Sequence, residues 1–248
     1  ICTKAIANIG RLSKLAMLFP SLSNFMMSNK LASGTLKKIL KIAPGRSMPL
    51  YYKETLKSWY KKNKKELELK IPQKGKVYFF FDEFTNFNDV EIGIKALKLL
   101  ARLGYEVDYV EHADSGRAQM SKGILEDAQK LAIKNVNIFS TWVSKDTPLI
   151  GIEPSAILSF RDEYPRLVDR KDVDKAKKLA QNCLIIDEFI SKEILKGNIT
   201  SAQFTKEAKK IKQAYLTLGF KKFALEKLRS NQWDVIVSGL QELMQIRI

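Results

Sequence analysis

Lys76-Val77-Tyr78-Phe79-Phe80-Phe81, followed at once by Asp82-Glu83, is the stretch that decides the fold. After the lysine its residues are β-branched or aromatic and do not alternate with polar ones, the pattern of a strand covered on both faces. Such strands sit in parallel sheets between two layers of helix. Downstream, Asn88 or Asp89 stands as the cap of a helix whose apolar positions Val90, Ile94, Leu97, Leu100 and Leu103 recur at helical spacing. Gly104 closes it, since glycine adopts the left-handed conformation that ends many helices. Tyr105 to Val110 reads as a second strand. Strand, helix and strand joined by short links make a βαβ unit, whose strands are parallel and whose crossover is right-handed. The expected class is therefore α/β, a parallel Rossmann-like βαβ sheet flanked by helices and preceded by a basic helical N-terminal segment.

Working outward, a polar turn at His112 to Arg117 leads into one long amphipathic helix expected from about Ala118 to Ser144. Leu149-Ile150-Gly151-Ile152 is a third strand. Beyond it the pattern is mainly helical, with a short helix opening at Pro154-Ser155, then Val173 to Lys178, Leu184 to Leu195, Thr200 to Leu218 and Lys221 to Leu228. Trp233 to Val237 reads as the last strand. On the other side, Lys61 to Lys70 and Ile71-Pro72-Gln73-Lys74-Gly75 read as a linker, because charge runs and a Pro/Gly pair interrupt the pattern. That divides the chain into a helical connector, 1–70, and an α/β region, 71–248. The connector is expected to hold helices at Thr3 to Phe19, Leu22 to Met27, a third N-capped by Ser33, and Leu50 to Lys62. These carry too little apolar surface for a core of their own, so Met17, Phe19, Phe25, Met26 and Met27 are expected to be ordinary core side chains, in preference to a lipid-inserting face.

The 248 residues, 45% of them hydrophobic, suffice for a full core. No apolar run approaches the roughly 20 residues of a membrane-spanning helix. Residues 1–28 lack the layout of a secretory signal, and a start at Ile1-Cys2 points to a longer parent chain. Two cysteines and one histidine are too few for a dedicated zinc or iron-sulfur site, and so few cysteines suit a reducing, cytoplasmic setting. The net charge of +16 is uneven: residues 1–76 hold 17 Lys or Arg against 3 Asp or Glu, which leaves +2 for the rest. A basic segment of this kind meets nucleic acid, anionic lipid or an acidic protein face, or else is a solvated lysine-rich linker. Nucleic acid is the least favoured, because the aromatics do not interleave with the lysines.

In a parallel sheet ligands gather beyond the carboxyl ends of the strands, so the loops after the strands hold the candidate chemistry. Asp82 with Glu83 is one carboxylate pair, and Asp162 with Glu163, beside Arg161, is another; with Glu153 these are the candidate catalytic residues. Paired carboxylates can do acid/base work when one raises the pKa of its neighbour. Both pairs also read as helix-cap chemistry and local ion pairing. Asn86, Ser115, Gly116, Arg117, Lys122 and Ser155 are the candidate cofactor-contacting residues, the Ser-Gly-Arg turn because its backbone N–H groups could meet an anion. His112, the one histidine, is a weaker candidate for a general base.

Three of these loops, FFFDEFTNFND at 79–89, SGRAQMSKG at 115–123 and PLIGIEPSAILSFRDEYPRL at 148–167, together resemble the cysteine-rich C-terminal region of FAD-linked oxidases. That family includes subunits similar to glycolate oxidase and D-lactate dehydrogenase, and its domain is shared with heterodisulfide reductase subunits. The stretch Ala43-Pro44-Gly45-Arg46-Ser47 resembles the connector that follows a ferredoxin-type module there, so the likeness covers roughly residues 1–195. The resemblance implies FAD and 4Fe-4S clusters on preceding domains, and flavin and ferredoxin-like domains or subunits as partners. The cysteine count points to a cytoplasmic place, and the basic N-terminal helices leave a peripheral contact on the inner membrane face, or docking on a partner protein, as the alternative. The departures matter as much. Family members commonly show Cys-Cys-Gly-Arg where this chain has Asp114-Ser115-Gly116-Arg117, and Glu-Pro-Ser-Cys where it has Glu153-Pro154-Ser155-Ala156. In residues 196–248 Lys212 passes straight to Gln213, and Ser238-Gly239 straight to Leu240, so the cysteine elements expected there are missing too and this half is degenerate or incomplete. The reading is an accessory part of a 2-hydroxy-acid-type oxidoreductase that holds no cluster in this region.

Overall fold

In the computed structural model, which describes residues 2–200 and Gln203, four parallel strands form one sheet: β1 (Gly75–Phe79), β2 (Tyr105–Asp108), β3 (Leu149–Gly151) and β4 (Cys183–Ile185). Their order is β2-β1-β3-β4, with Val77 opposite Val107, Phe79 opposite Ile150, and Ile150 opposite Leu184. β1 is thus central, and from Val77 to Phe79 its side chains are buried on both faces, as an uninterrupted apolar run requires. The chain forms two compact units, residues 1–185 and 186–248, and the whole sheet lies in the first. The expected boundary between residues 70 and 71 lies inside that unit.

Five short helices precede β1: α1 (Cys2–Ala7), α2 (Ile9–Ala16), α3 (Pro20–Ser28), α4 (Lys30–Leu40) and α5 (Leu56–Asn63). The helix expected over Thr3 to Phe19 is in fact two, divided at Asn8. Asn29, not Ser33, caps α4, accepting from the N–H groups of Leu31 and Ala32, while Ser33 is buried inside the helix. Thr55 caps α5, so Leu50 to Thr55 lies outside the helix expected there. Within the Lys61 to Lys70 run, Leu67 is buried and Glu66 pairs with Lys98 at 2.6 Å, so that run is folded onto the body. The apolar side chains of α2 and α3 depart most from expectation. Phe19, Phe25 and Met26 are exposed and are no part of a core, because the inward positions of these helices are held by Gly10, Ser13 and Asn24. Gly10 lets α2 approach the loop after β2 closely: a Cβ there would stand 2.1 Å from Asp114 Oδ2.

After β1 come α6 (Glu83–Phe87) and α7 (Val90–Arg102). α5 and α7 cover the sheet face that carries Val77, Phe79 and Phe81, and Tyr60 meets Phe81 edge-on at 5.8 Å. β2 is followed by α8 (Arg117–Met120) and α9 (Leu125–Phe139). The single helix expected from Ala118 to Ser144 is therefore broken, because Gly123 turns to φ +70° and the chain resumes at Leu125, then ends at Phe139. α10 (Pro154–Ile157), α11 (Ser159–Asp162), α12 (Tyr164–Leu167) and α13 (Val173–Ala180) follow β3. With α9 they enclose the opposite face in one cluster of Tyr78, Phe80, Val136, Phe139, Phe160 and Tyr164. Cys183-Leu184-Ile185, expected to open or precede a helix, pairs instead with Leu149 to Gly151, and α14 (Ile186–Leu195) begins only in the second unit. The elements expected beyond Thr200, including the strand at Trp233 to Val237 and the missing cysteine loops, lie outside the described residues.

Candidate functional site

The strand order reverses between β1 and β3, and at such a point the loops leaving adjacent strands diverge and leave room for a ligand. Here the loop after β1 brings Asp82 and Glu83, the loop after β2 brings residues 109–116, and the loop after β3 brings Glu153 to Ser155. Since all four strands are parallel, every one of these loops emerges at the same edge of the sheet.

Asp82 and Glu83 are adjacent and both buried, yet they turn to different partners. Asp82 is the cap of α6: its Oδ1 accepts from the backbone N–H groups of Phe84 at 2.9 Å and Thr85 at 3.0 Å, and its Oδ2 accepts from the Thr85 hydroxyl. Burial outweighs these donors and pushes its carboxyl up from 3.8 to about 7. Glu83 reaches across to the loop after β2, where Oε2 accepts from the Ser115 N–H at 3.0 Å and Oε1 from the Ser115 hydroxyl at 2.7 Å. Its carboxyl too is held above the usual range by burial, with the Ser115 donors pulling the other way.

Ser115 is fully buried and sits at the centre of a chain of polar contacts. Its carbonyl accepts from the Tyr164 hydroxyl at 2.7 Å, and its own hydroxyl oxygen accepts from the Arg117 N–H at 3.1 Å. Asn135 of α9 completes the arrangement: its amide nitrogen donates to Tyr164 Oη at 3.0 Å and to the Asp114 carbonyl at 3.1 Å, while its Oδ1 accepts from the Ala113 N–H at 3.0 Å. Buried polar groups that satisfy one another in this way fix the geometry of the loops that carry them. Tyr164 is walled in so completely that its hydroxyl is driven far above the ordinary tyrosine range by burial. Gly116 follows at φ +77° and starts α8, a conformation that suits glycine.

His112 is tied into the same loop. Nε2 accepts from the Phe81 N–H at 3.2 Å and Nδ1 lies 2.8 Å from the Ala113 carbonyl, which assigns the proton to Nδ1. The ring lies against Phe80, with centroids 4.4 Å apart, and against Tyr109 and Phe139. Burial in that aromatic surround pushes its pKa down to about 4.

The remaining candidates are dispersed. Glu153 caps α10, accepting from the Ser155 N–H at 3.2 Å and the Ser155 hydroxyl at 2.6 Å. Asn86 accepts from the Lys57 N–H at 3.0 Å and so ties α6 to α5. Arg161 and Asp162 are exposed on α11, Glu163 is half-buried beside them, and Lys122 is exposed in the turn after α8. The structure thus brings Glu83 together with Ser115, and Glu153 together with Ser155. Asn135 carries no motif signal, but it falls on the same helical face as Ala128, Ala132, Val136 and Phe139, and an amide on an apolar face signals a buried partner.

An iron-sulfur cluster does not fit this set of donors. Ser115 is committed to Glu83, Ala156 has no ligating atom, and Cys183 is buried with its thiol donating to the Leu179 carbonyl and held above its ordinary pKa by burial. Among the described residues no group of three or more His, Cys, Asp or Glu is placed to hold a metal ion.

Most of the curated relatives are named as dehydrogenases or a dehydrogenase subunit. Over 160 residues the chain is 26% identical to a D-2-hydroxyglutarate dehydrogenase of Pantoea ananatis, a match that covers 64% of this chain and 14% of that protein. Over 170 residues it is 29% identical to one subunit of the anaerobic glycerol-3-phosphate dehydrogenase of Escherichia coli, covering 67% of this chain and 42% of the relative. Over 118 residues it is 30% identical to lactate utilization protein A of Bacillus subtilis, covering 46% and 48%. The chain thus spans less than half the length of each. No protein-family model matches the chain, and no solved structure matches it either. What the relatives establish is a likeness to part of hydroxy-acid and glycerol-3-phosphate dehydrogenase-type oxidoreductases.

Proposed function

We propose that this chain is an accessory α/β region of an FAD-linked, 2-hydroxy-acid-type oxidoreductase, carrying no redox centre of its own in the described part and serving to join flavin- and ferredoxin-bearing parts. The relatives supply the oxidoreductase context, and the glycerol-3-phosphate dehydrogenase relative is named as a subunit of a larger enzyme. The observation that carries the accessory reading is the bond between Glu83 and Ser115. At the loop where the resemblance implies paired thiolates, a buried carboxylate and a hydroxyl satisfy each other and seal the strand ends. The adjacent carboxylates are likewise spent on caps, Asp82 on α6 and Glu153 on α10. Groups so fully engaged hold loops in place; acid/base work on a substrate would require them to exchange these partners.

Anaerobic purification followed by iron analysis and ultraviolet-visible spectroscopy tests this reading. The expected result is protein without stoichiometric iron and without a cluster absorbance band. Iron in stoichiometric amount, or a reducible chromophore, would overturn it.

A further inference from the structure

We propose that α2, α3 and α4 form a face that lies on an anionic lipid bilayer, a reading independent of the reaction the parent protein performs. The helices α2 and α3 are amphipathic the wrong way round for a water-soluble surface. Leu15, Leu18, Phe19, Leu22, Phe25 and Met26 recur every three or four residues, and each is between 52% and 68% exposed. Two polar side chains face the body instead, while Arg11, Lys14, Ser21 and Ser28 are exposed: Ser13 is buried against the Tyr51 hydroxyl, and Asn24 holds the Tyr51 backbone from both sides, accepting from its N–H and donating to its carbonyl, each at 2.8 Å. An apolar stripe fixed outward by inward polar bonds marks an interaction surface.

The charge around that stripe selects its occupant. Residues 1–53 contain nine Lys or Arg and no Asp or Glu, seven of the nine being lysine. Interfaces between proteins are enriched in aromatic residues, methionine and arginine and depleted in lysine, so Phe19, Phe25 and Met26 would suit either occupant and the seven lysines select lipid. Helices that lie in the plane of a membrane combine leucine and phenylalanine on one face with lysine beside it, and anionic lipid supplies the opposite charge. Lys30, Lys37 and Lys38 of α4 line a basin of about 490 Å³, open and of a size to receive a phosphodiester headgroup. No helix among the described residues is long and apolar enough to cross a membrane, so the contact is with the surface, α2 and α3 resting in the interface.

The test uses the full 248-residue chain in sedimentation with vesicles of phosphatidylcholine alone and of phosphatidylcholine mixed with phosphatidylglycerol, at low and high salt. Binding is expected to the phosphatidylglycerol vesicles and to weaken as salt rises. Phe19→Glu with Phe25→Glu is expected to abolish it, and Lys37→Glu with Lys38→Glu to weaken it at least about 25-fold, at about fivefold for each lysine lost. All four side chains are exposed or half-buried, so circular dichroism and the thermal midpoint of both variants should match the parent. Absence of binding to phosphatidylglycerol vesicles at low salt would overturn the proposal. So would undiminished binding by the Phe19→Glu, Phe25→Glu variant. Self-association of the parent chain, abolished by that variant and seen without any vesicle binding, would assign the face to a second copy and overturn the lipid reading as well.

Discussion

At the residue scale, the loop after β2 shows how much a single side chain can be misjudged from its type. His112 is the one histidine of the chain, and a histidine near strand ends invites a role in proton transfer. Its two nitrogens are engaged with Phe81 N–H and the Ala113 carbonyl, and its ring is enclosed by aromatics. A group whose pKa has been pushed down to about 4 stays neutral at any ordinary working pH. Because no second histidine overlaps it, proton NMR can read it directly: its ring resonances are expected to stay fixed from pH 8 down to about pH 5. A titration centred near the ordinary 6.5 would show that the ring is not enclosed. Ser115 stands out in the sequence because the family resemblance implies a cysteine there, but its partner does not. That its partner is Glu83, 32 positions earlier, depends on two loops meeting at the sheet edge, which no local pattern encodes.

At the element scale, the strand and helix types follow closely from the order of apolar residues, and the boundaries follow from capping and backbone chemistry. Val90–Arg102 and the turn at Gly104, with φ +98°, are where helical spacing and a terminal glycine put them. The helix expected across Ala118 to Ser144 fails at Gly123 because an amphipathic pattern continues through a break whenever both pieces pack on the same layer. β4 is only three residues long, and a short apolar run cannot be told from buried helix by periodicity. Its pairing with β3 decides the matter. The close packing of β3 on α10 provides a direct check. A Cβ on Gly151 would lie 2.6 Å from the Cβ of Ile157, an atom next to the backbone that cannot swing aside. Gly151→Ala is therefore expected to lower stability by about 1–3 kcal/mol in urea denaturation, the usual cost of overpacking a tight site. An unchanged denaturation midpoint would mean that α10 moves freely over the strand.

At the scale of the whole molecule, the enclosed carboxyls and the enclosed imidazole act on stability with opposite sign. Asp82 is raised from 3.8 to about 7, so the folded state binds its proton more tightly than the unfolded state; this favours folding at low pH and is lost as pH rises from about 4 to about 7. Glu83, also raised, acts in the same direction. His112 is lowered from 6.5 to about 4, so its contribution is complete above 6.5 and is lost as pH falls toward 4. Between about pH 4 and 6.5 the terms oppose each other. Asp82→Asn keeps an acceptor at the cap and removes one of them. The free energy of unfolding of the parent minus that of the variant is expected to shrink steadily as pH is raised from 4 to 7, measured by urea denaturation at each pH. A difference independent of pH would show that the Asp82 carboxyl is ionised throughout. The amino-acid sequence by itself determined the parallel α/β class, the buried central strand at Val77 to Phe79, the basic N-terminal region and the absence of cysteine from the loops at 82–89, 109–116 and 153–156, because each is a matter of periodicity, charge or residue identity. Only the tertiary structure decided that Glu83 meets Ser115, that Asn135 and Tyr164 lock the same loops, and that Phe19, Phe25 and Met26 face outward. The physical reason is that burial and hydrogen-bond partnership are properties of positions far apart in the chain, set by which faces the sheet and its helices leave available to one another.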